Sequence, residues 1–122
     1  MRRQITKIID AASVDTTTGG IDILGASKVT LFCKRASHTS GNTVFSATVG
    51  VGADSIAYNK FISNVTNTNA QMPTRVASLT LSSATQGFLT MSPEDVFENI
   101  RVTADVTTDG VNTVWLIAEF DD

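Results

Sequence analysis

Residues 97–120, FENIRVTADVTTDGVNTVWLIAEF, carry the clearest structural pattern in this chain of 122 residues. Apolar residues alternate with polar ones over 100–106, and they recur at every second position over 113–120. A period of two is typical of strands that bury one face. The two segments flank Asp109-Gly110, a pair favoured in tight hairpin turns. We expect a hairpin whose strands turn one set of side chains toward a common core: Ile100, Val102, Ala104 and Val106 from the first strand, and Val114, Leu116, Ala118 and Phe120 from the second.

The same alternation recurs in the rest of the chain. Residues 28–36 and 43–51 alternate around the polar loop 38–42, which predicts a second hairpin, and strand character returns within 75–91. Val, Ile and Thr make up 39 of the 122 residues, and these β-branched types fit a pleated sheet better than a helix. Seven or eight short strands without long helices predict an all-β chain. We expect a single antiparallel β-sandwich of jelly-roll type that spans residues 1–122, with one or two short helical turns.

Three segments leave their local structure open. Residues 1–14 fit either a first strand or an N-terminal arm, because the apolar spacing there is loose. Residues 52–74 are rich in Asn, so that a short helix near 58–66 and a long ordered connection both fit. The run SPED at 92–95 predicts a short helix that extends to about Asn99, since Ser caps helix N-termini and Pro is tolerated in the first turn.

The residue types that carry most enzyme chemistry are few and scattered. The one histidine, His38, lies in a polar loop, and no run of carboxylates matches a calcium loop. Cys33 lies within an apolar alternation, which favours a buried structural thiol over a reactive one. Asp121 and Asp122 fit a solvated tail better than a metal site. We therefore expect no catalytic site, no metal site and no cofactor, and we expect that the protein is not an enzyme.

Charge and hydropathy narrow the classes of partner. Charged residues make up only 17% of the chain, the formal net charge is −3 and the pI is about 4.9. This composition lacks the basic patch of nucleic-acid binders. The apolar runs are too short to span a bilayer and no signal peptide is recognisable, so we expect a cytoplasmic product without a membrane partner. A surface rich in Ser and Thr favours a mostly neutral protein interface that tolerates moderate salt.

A basic cluster near the N-terminus is one candidate for partner contacts. Arg2, Arg3 and Lys7 stand at the start of a chain that is acidic as a whole. They fit either an arm that reaches a neighbouring molecule or a frayed, solvated terminus. The sequence leaves both interpretations open.

Aromatic residues are the second candidate for partner contacts. If Tyr58, Phe61 and Trp115 are exposed, they would form a platform on which sugar rings stack. Aromatic residues in all-β chains belong more often to the core, because they bury large areas and prefer strands. Exposed Tyr58 and Phe61 therefore form a contact hypothesis that burial can decide.

Residues 97–120 also resemble the closing hairpin of small tailed-phage virion proteins, in which an aromatic residue and an IRV strand precede a Gly turn and a final apolar strand. The opening half, with IDILG at 21–25 followed by KVTL at 28–31, is similar to the same class. The resemblance implies a capsid decoration or cement protein. Such a protein is a jelly-roll-like module that binds a preassembled shell at symmetry axes, often as a trimer or dimer.

These observations together predict a bacteriophage structural protein that decorates and stabilises a capsid. We expect a homo-oligomer, in particular a trimer, that binds the major capsid protein and resides in the virion after synthesis in the host cytoplasm. The alternative is a carbohydrate-binding or tail-associated receptor-binding β-sandwich module. Because a β-sandwich hosts many unrelated functions, the chemistry of its surface has to decide between them.

Overall fold

The computed structural model describes residues 1–37, 39–65 and 74–121, and twelve strands within them form two antiparallel sheets. The sheets pack together as a β-sandwich, which confirms the predicted all-β fold. Sheet A contains, in spatial order, β1 (Arg2–Ala12), β12 (Val111–Phe120), β4 (Lys28–Ala36), β10 (Gln86–Thr90), β7 (Phe61–Ser63) and β8 (Arg75–Val76). Sheet B contains β2 (Thr16–Thr17) and β3 (Ile21–Asp22) beside β11 (Asn99–Thr108), then β5 (Gly41–Val51), then β6 (Asp54–Ala57) and β9 (Ser78–Leu81).

The order of these strands is that of a jelly roll. β1 lies at one edge of sheet A and pairs antiparallel with β12, so the first and last strands are neighbours. Between them the chain crosses repeatedly from one sheet to the other. The residues near the N-terminus thus form a first strand, which is one of the two alternatives that the sequence left open. The pairing of this strand shifts register after Lys7 and again after Ile9.

Neither of the two predicted hairpins forms. β11 pairs with β5 along its whole length, whereas β12 pairs with β4 in the other sheet. The loop between β4 and β5 and the link Asp109-Gly110 are therefore crossings between the sheets. Alternation identifies the inward side of a strand, but the inward sides of both sheets meet at one core. The two apolar sets within 97–120 consequently face each other across the sandwich, and the prediction that they lie side by side was wrong.

A buried arginine connects the two crossings. Arg35 is an inward residue of β4 and is only 1% exposed. Its Nη2 donates hydrogen bonds to the backbone oxygens of Ser40 (2.9 Å) and Asp109 (2.8 Å), one in each crossing. The Asp109 carboxylate accepts hydrogen bonds from the backbone and the hydroxyl of Thr39 and from the backbone of Ser40. We call this cluster the Arg35 junction. These hydrogen bonds and the Asp109 carboxylate, 3.9 Å from Nη2, offset part of the cost of burying the charge, whereas Nε and Nη1 have no hydrogen-bond partner among the described residues.

The core between the sheets is mainly apolar. Many of its residues come from inward positions of β4, β5, β10, β11 and β12: Val29, Leu31, Phe45, Val49, Leu89, Ile100, Val102, Val114 and Leu116. Cys33 lies among them with no exposed surface, as predicted. Burial raises the pKa of its thiol. Because a thiol needs access and thiolate character to react, Cys33 is a packing residue.

Helical structure is shorter than expected. Residues 58–65, the described part of the helix predicted near 58–66, contain no helix, and β7 forms there instead. The helix predicted after Ser92 is a single 3-10 turn, Pro93–Asp95. The Ser92 hydroxyl does not cap this turn, and it accepts a hydrogen bond from Arg75 Nη1 at 3.0 Å. Asn99 belongs to β11, where long-range pairing with β5 overrides the local helix signal.

Gly110→Ala should destabilise the protein. Gly110 has a φ of 129°, and an added Cβ would lie 2.7 Å from Arg35 Nε. We expect the free energy of unfolding to fall by about 1–3 kcal/mol, measured by urea unfolding. Gly19→Ala is the matched control, since nothing lies within 4 Å of its Cβ position. Equal stability of the two variants would contradict the strained geometry.

The stability contributed by Asp109 should depend on pH. The hydrogen bond from the Thr39 hydroxyl, followed by that from the Thr39 backbone, holds the pKa of Asp109 below its ordinary value of 3.8. A carboxyl with a lowered folded-state pKa stabilises the fold above its unfolded pKa, and this contribution is lost as pH falls through the folded pKa. Asp109→Asn should be less stable than wild type near neutral pH, and the difference should shrink below about pH 4. Urea midpoints across this range test it, and a constant difference would count against it.

Candidate interaction surface

The outer faces of the two sheets differ in chemistry. On sheet B the outward residues of neighbouring strands mostly bear hydroxyl groups: Thr17, Ser46, Thr48, Ser78, Thr80 and Thr103. The Thr17 and Thr103 hydroxyls lie 3.0 Å apart and share a hydrogen bond. This face carries the Ser and Thr side chains that the composition implies, together with Arg101 and Asp105, which have opposite charges. A hydroxyl-rich face of this kind offers few of the large aromatic anchors that dominate protein interfaces.

The outer face of sheet A carries a row of aromatic side chains instead. The register places Trp115 of β12 opposite Phe32 of β4, and Phe32 opposite Phe88 of β10. Phe32 and Phe88 are each 36% exposed, and Trp115 is half-buried. Trp115 packs edge-on against Phe32, with 5.9 Å between the ring centroids and an interplanar angle of 63°. Large aromatic residues that remain exposed in a row are costly to hydrate, which makes this face a candidate interaction surface.

An aliphatic row runs beside the aromatic one. Ile117 of β12 follows Trp115 on the outward side and is half-buried. Its partner on β1 is Ile5, which is exposed at the edge of the sheet. We define the aromatic face as Phe32, Phe88, Trp115 and Ile117. Contiguous apolar patches on the outside of a sheet mark interaction sites more often than single exposed residues do.

Positive charges border the aromatic face. Four cations occupy outward register positions on β1 and β4: Arg3, Lys7, Lys28 and Lys34. Arg3 Nη2 lies 2.8 Å from Glu119 Oε1, and this hydrogen bond lowers the pKa of Glu119, so that carboxylate stays ionised and neutralises one cation. Lys7 Nζ lies 3.7 Å from Asp10 at the strand edge. The border of the face is net positive, although the formal charge of the whole chain is −3.

Tyr58 and Phe61 do not belong to this surface, and the prediction that they are exposed was wrong. Tyr58 is 5% exposed and Phe61 is fully buried. Their rings pack edge to face with 4.6 Å between centroids. The Tyr58 hydroxyl donates to Asp95 Oδ2 at 2.9 Å and accepts from the Ser92 backbone at 3.0 Å. Burial raises the pKa of Tyr58. These two residues join the chain after β6 to the core.

The basic residues near the N-terminus lie on a paired strand and not on a free arm. The Arg2 guanidinium lies 4.6 Å from the centroid of the Phe120 ring. Arg3 pairs with Glu119 on β12, and Lys7 Nζ lies 5.9 Å from the Trp115 ring centroid. β1 therefore holds these cations at the edge of sheet A. Arg3 and Lys7 border the aromatic face, whereas Arg2 occupies the opposite side of the strand.

Sequence reasoning did not single out Phe32, Phe88, Lys28 and Lys34 as one surface. The sequence did contain one indication, because some strands carry apolar residues at the alternate positions that are expected to be polar. Phe32 occupies the polar phase of 28–36, and the apolar run at 114–118 fills both phases of its strand. A strand that is apolar in both phases either is buried on both faces or exposes one of them. Which strands lie side by side decides whether the second phase forms a patch, and no local pattern contains that information.

Two features are absent from the described residues. Among residues 1–37, 39–65 and 74–121, no group of three or more His, Cys, Asp or Glu side chains is placed to hold a metal ion. The same residues contain no helix that is both long and apolar enough to cross a bilayer. His38 and Asp122 lie outside the described part of the chain.

Comparison with known proteins gives a relative in fold. The sequence matches no protein-family model and no curated protein sequence. The crystal structure of the SPBc2 prophage-derived protein YomS is similar to this structure, with a TM-score of 0.65 and 15% sequence identity. The match covers 96% of this chain and 92% of YomS. At this identity the similarity shows a shared fold.

Trp115 should report on the aromatic face, because it is the one tryptophan of the chain. We expect acrylamide to quench its fluorescence in the native protein, though less than it quenches free tryptophan. Phe32→Ala should increase the quenching, since the Phe32 ring packs against the indole. Val44→Ala on the outer face of sheet B is the control. Quenching that does not respond to Phe32→Ala would contradict this packing.

Proposed function

We propose that this chain is a bacteriophage structural protein that attaches to another virion protein through the aromatic face, in the manner of a capsid decoration or cement protein. The observation that carries the proposal is the face itself. It combines an exposed apolar centre with a charged border on a chain whose other outer face is neutral and hydroxyl-rich. An apolar, aromatic centre inside a polar rim is the usual anatomy of a protein interface.

The phage assignment has two supports. The fold is shared with YomS, a prophage-derived protein. The stretch 97–120 resembles the closing strands of small tailed-phage virion proteins, and its two strands are interior strands, one in each sheet. A structural role agrees with the surface, because the aromatic face is assembled from side chains of three neighbouring strands, β4, β10 and β12, and is therefore broad.

The charges at the border of the aromatic face support a partner surface of complementary charge. Lys28 and Lys34 flank the aromatic row on β4, and Arg3 and Lys7 flank it on β1. A cationic rim favours a partner with an acidic rim around an apolar centre, and it speeds their encounter. We assign this partner to the major capsid protein, on a preassembled shell. The protein then resides in the virion after synthesis in the host cytoplasm.

This arrangement alters one expectation drawn from composition. A low content of charged residues favours a neutral interface that tolerates salt. The structure instead concentrates cations around the apolar patch, so the rate of association should fall with ionic strength while the apolar contact persists. Each contact can be modest, since many copies on one particle reinforce the shell together.

The second candidate function is binding of carbohydrate, as in a receptor-binding module. The row Trp115, Phe32 and Phe88 is the observation that favours it. Sugar rings stack best on aromatic rings that lie flat and coplanar, whereas Trp115 and Phe32 meet at 63°. The geometry therefore supports the protein interface over the sugar platform.

Co-sedimentation with capsid shells tests the proposal. Empty shells assembled from the major capsid protein of the encoding phage should sediment the wild-type protein. The double variant Phe32→Ser/Phe88→Ser should bind at least about tenfold more weakly, because it removes the aromatic anchors. Val44→Ser, a half-buried outward residue of sheet B, is the matched control and should bind like wild type.

Two results would overturn the proposal. The first is wild-type protein that stays in the supernatant with the shells. The second is a double variant that binds like wild type. A glycan array run in parallel distinguishes the alternative, because a glycan signal lost in the double variant, without shell binding, would assign the face to sugar recognition.

A further inference from the structure

The first half of β1 adds no side chain to the core. Gln4 and Thr6 pair with Ala118 and Leu116, which are inward core residues, so all four side chains lie on the inner side of sheet A. Gln4 and Thr6 are nevertheless exposed, so the described part of sheet B does not cover them. The first buried side chain of β1 is that of Ile9, which is 2% exposed. The strand up to Ile9 is therefore held chiefly by its pairing with β12.

The side-chain contacts that tie this segment to β12 are electrostatic and lie near the surface. Arg3 pairs with Glu119 at 2.8 Å, and the Arg3 side chain is 58% exposed. Lys7 Nζ lies 5.9 Å from the centroid of the Trp115 ring. Exposed ion pairs and exposed cation–π contacts each contribute little to stability. A strand held in this way opens locally at a lower free energy than the core strands do.

The pairing of β1 with β12 is irregular where this segment ends. Its register shifts on both sides of Ile9. Within the second shift, Ala11 has a φ of 51°, a left-handed conformation that few residues other than Gly, Asn and Asp adopt. Asp10 and Ala11 are both exposed, whereas Asn112 Nδ2 donates a hydrogen bond to the Ala12 backbone oxygen at 3.2 Å. Asp10 and Ala11 thus form a strained connection between the first part of β1 and its anchored end.

A second copy of the chain offers this segment the same β12 to pair with. The contacts that residues 2–9 make with β12 can form again on the β12 of a neighbouring molecule, including the ion pair with Glu119 and the stacking of Arg2 on Phe120. Such an exchange preserves these contacts and lets the strained connection straighten. Short connections under strain favour the exchange of an identical element between copies.

We propose that residues 2–9 exchange between copies, with Asp10 and Ala11 as the hinge, so that the β12 of each molecule pairs with the β1 of a neighbour. Each copy gives one segment and accepts one, so the assembly can close into a ring of two or more copies. The neighbour's Arg3 and Lys7 then complete the border of each aromatic face. The exchange goes beyond the proposed function, because it does not require a shell.

Disulfide trapping distinguishes an exchanged β1 from one that pairs within its own chain. In Gln4→Cys/Ala118→Cys, the two thiols oppose each other directly across the pair of β1 and β12. The protein is refolded from urea over a range of concentrations and then oxidised. We expect the disulfide to link separate chains in a proportion that rises with concentration, measured on non-reducing gels. Cys33 is buried and should take no part.

Ser46→Cys/Ser78→Cys is the matched control pair. These residues oppose each other on β5 and β9, away from β1, and their disulfide should stay within one chain at every concentration. A second control uses Gln4→Cys/Ala118→Cys oxidised at high dilution, which locks β1 onto its own β12. Light scattering should show that this locked protein stays monomeric when it is concentrated, whereas the wild-type protein assembles.

Substitutions at residue 11, made in the Gln4→Cys/Ala118→Cys protein, test the hinge. Ala11→Gly should lower the proportion of linked chains about fivefold, because Gly adopts a positive φ without strain and so stabilises the closed form. Ala11→Val should raise that proportion, because a β-branched residue is more strained at this φ. Ala57→Gly and Ala57→Val are the controls, since Ala57 is exposed at the end of β6 and has no positive φ. Both should leave the proportion unchanged.

Three outcomes would overturn the exchange. They are Gln4→Cys/Ala118→Cys disulfides that stay within one chain at every concentration, linked chains that form equally in the control pair, and hinge variants that give equal proportions of linked chains. Failure of the exchange is separable from failure of shell binding. The locked protein should still sediment with shells, though with lower avidity, and Phe32→Ser/Phe88→Ser should still exchange β1.

Discussion

The buried charge of Arg35 is the constraint on which the two-sheet arrangement depends. A jelly roll needs connections that leave one sheet and enter the other, and such crossings offer few regular backbone hydrogen bonds. Arg35 supplies them by binding one backbone oxygen in each crossing. Asp109 completes the cluster by binding the loop between β4 and β5 from the other side. The two crossings, which join β4 to β5 and β11 to β12, are thereby connected to each other through one side chain of sheet A.

The sequence predicts the elements of this fold better than it predicts their arrangement. Alternation at 28–36, 43–51, 100–106 and 113–120 locates four long strands and their inward sides, because burial selects apolar residues at a period of two. It does not say which sheet each strand joins. Asp109-Gly110 is a favoured pair for a tight hairpin turn, yet here it connects strands of different sheets. The partner of each strand depends on distant segments, which the turn sequence does not specify. The helix signal at 92–95 fails for a similar reason, because pairing of β11 with β5 outweighs local propensity.

The candidate surface likewise combines residues that the local sequence makes conspicuous with residues that become neighbours only through strand pairing. Arg3 and Lys7 are conspicuous in the sequence as basic residues near the N-terminus, and the structure places both at the border of the aromatic face. Tyr58 and Phe61 are equally prominent in the sequence, but both are buried, because their rings pack together and the Tyr58 hydroxyl donates a hydrogen bond to Asp95. Phe32 and Phe88 lie 56 positions apart in the chain and become neighbours only through the pairing of β4 with β10. A patch built across strands therefore requires the topology before its chemistry can be recognised.

The adjacency of β1 and β12 has a consequence for how the chain folds. Arg3 and Glu119, which form an ion pair, are separated by 116 positions, so nearly the whole chain forms the loop that their pairing closes. Closing so long a loop lowers the conformational entropy of the chain before stabilising contacts form. Folds dominated by such long-range contacts reach the native state slowly. The ribosome makes β1 first and β12 last. During synthesis β1 therefore remains unpaired until β12 has been made. Its positive charges disfavour pairing with the β1 strands of other nascent chains during that time.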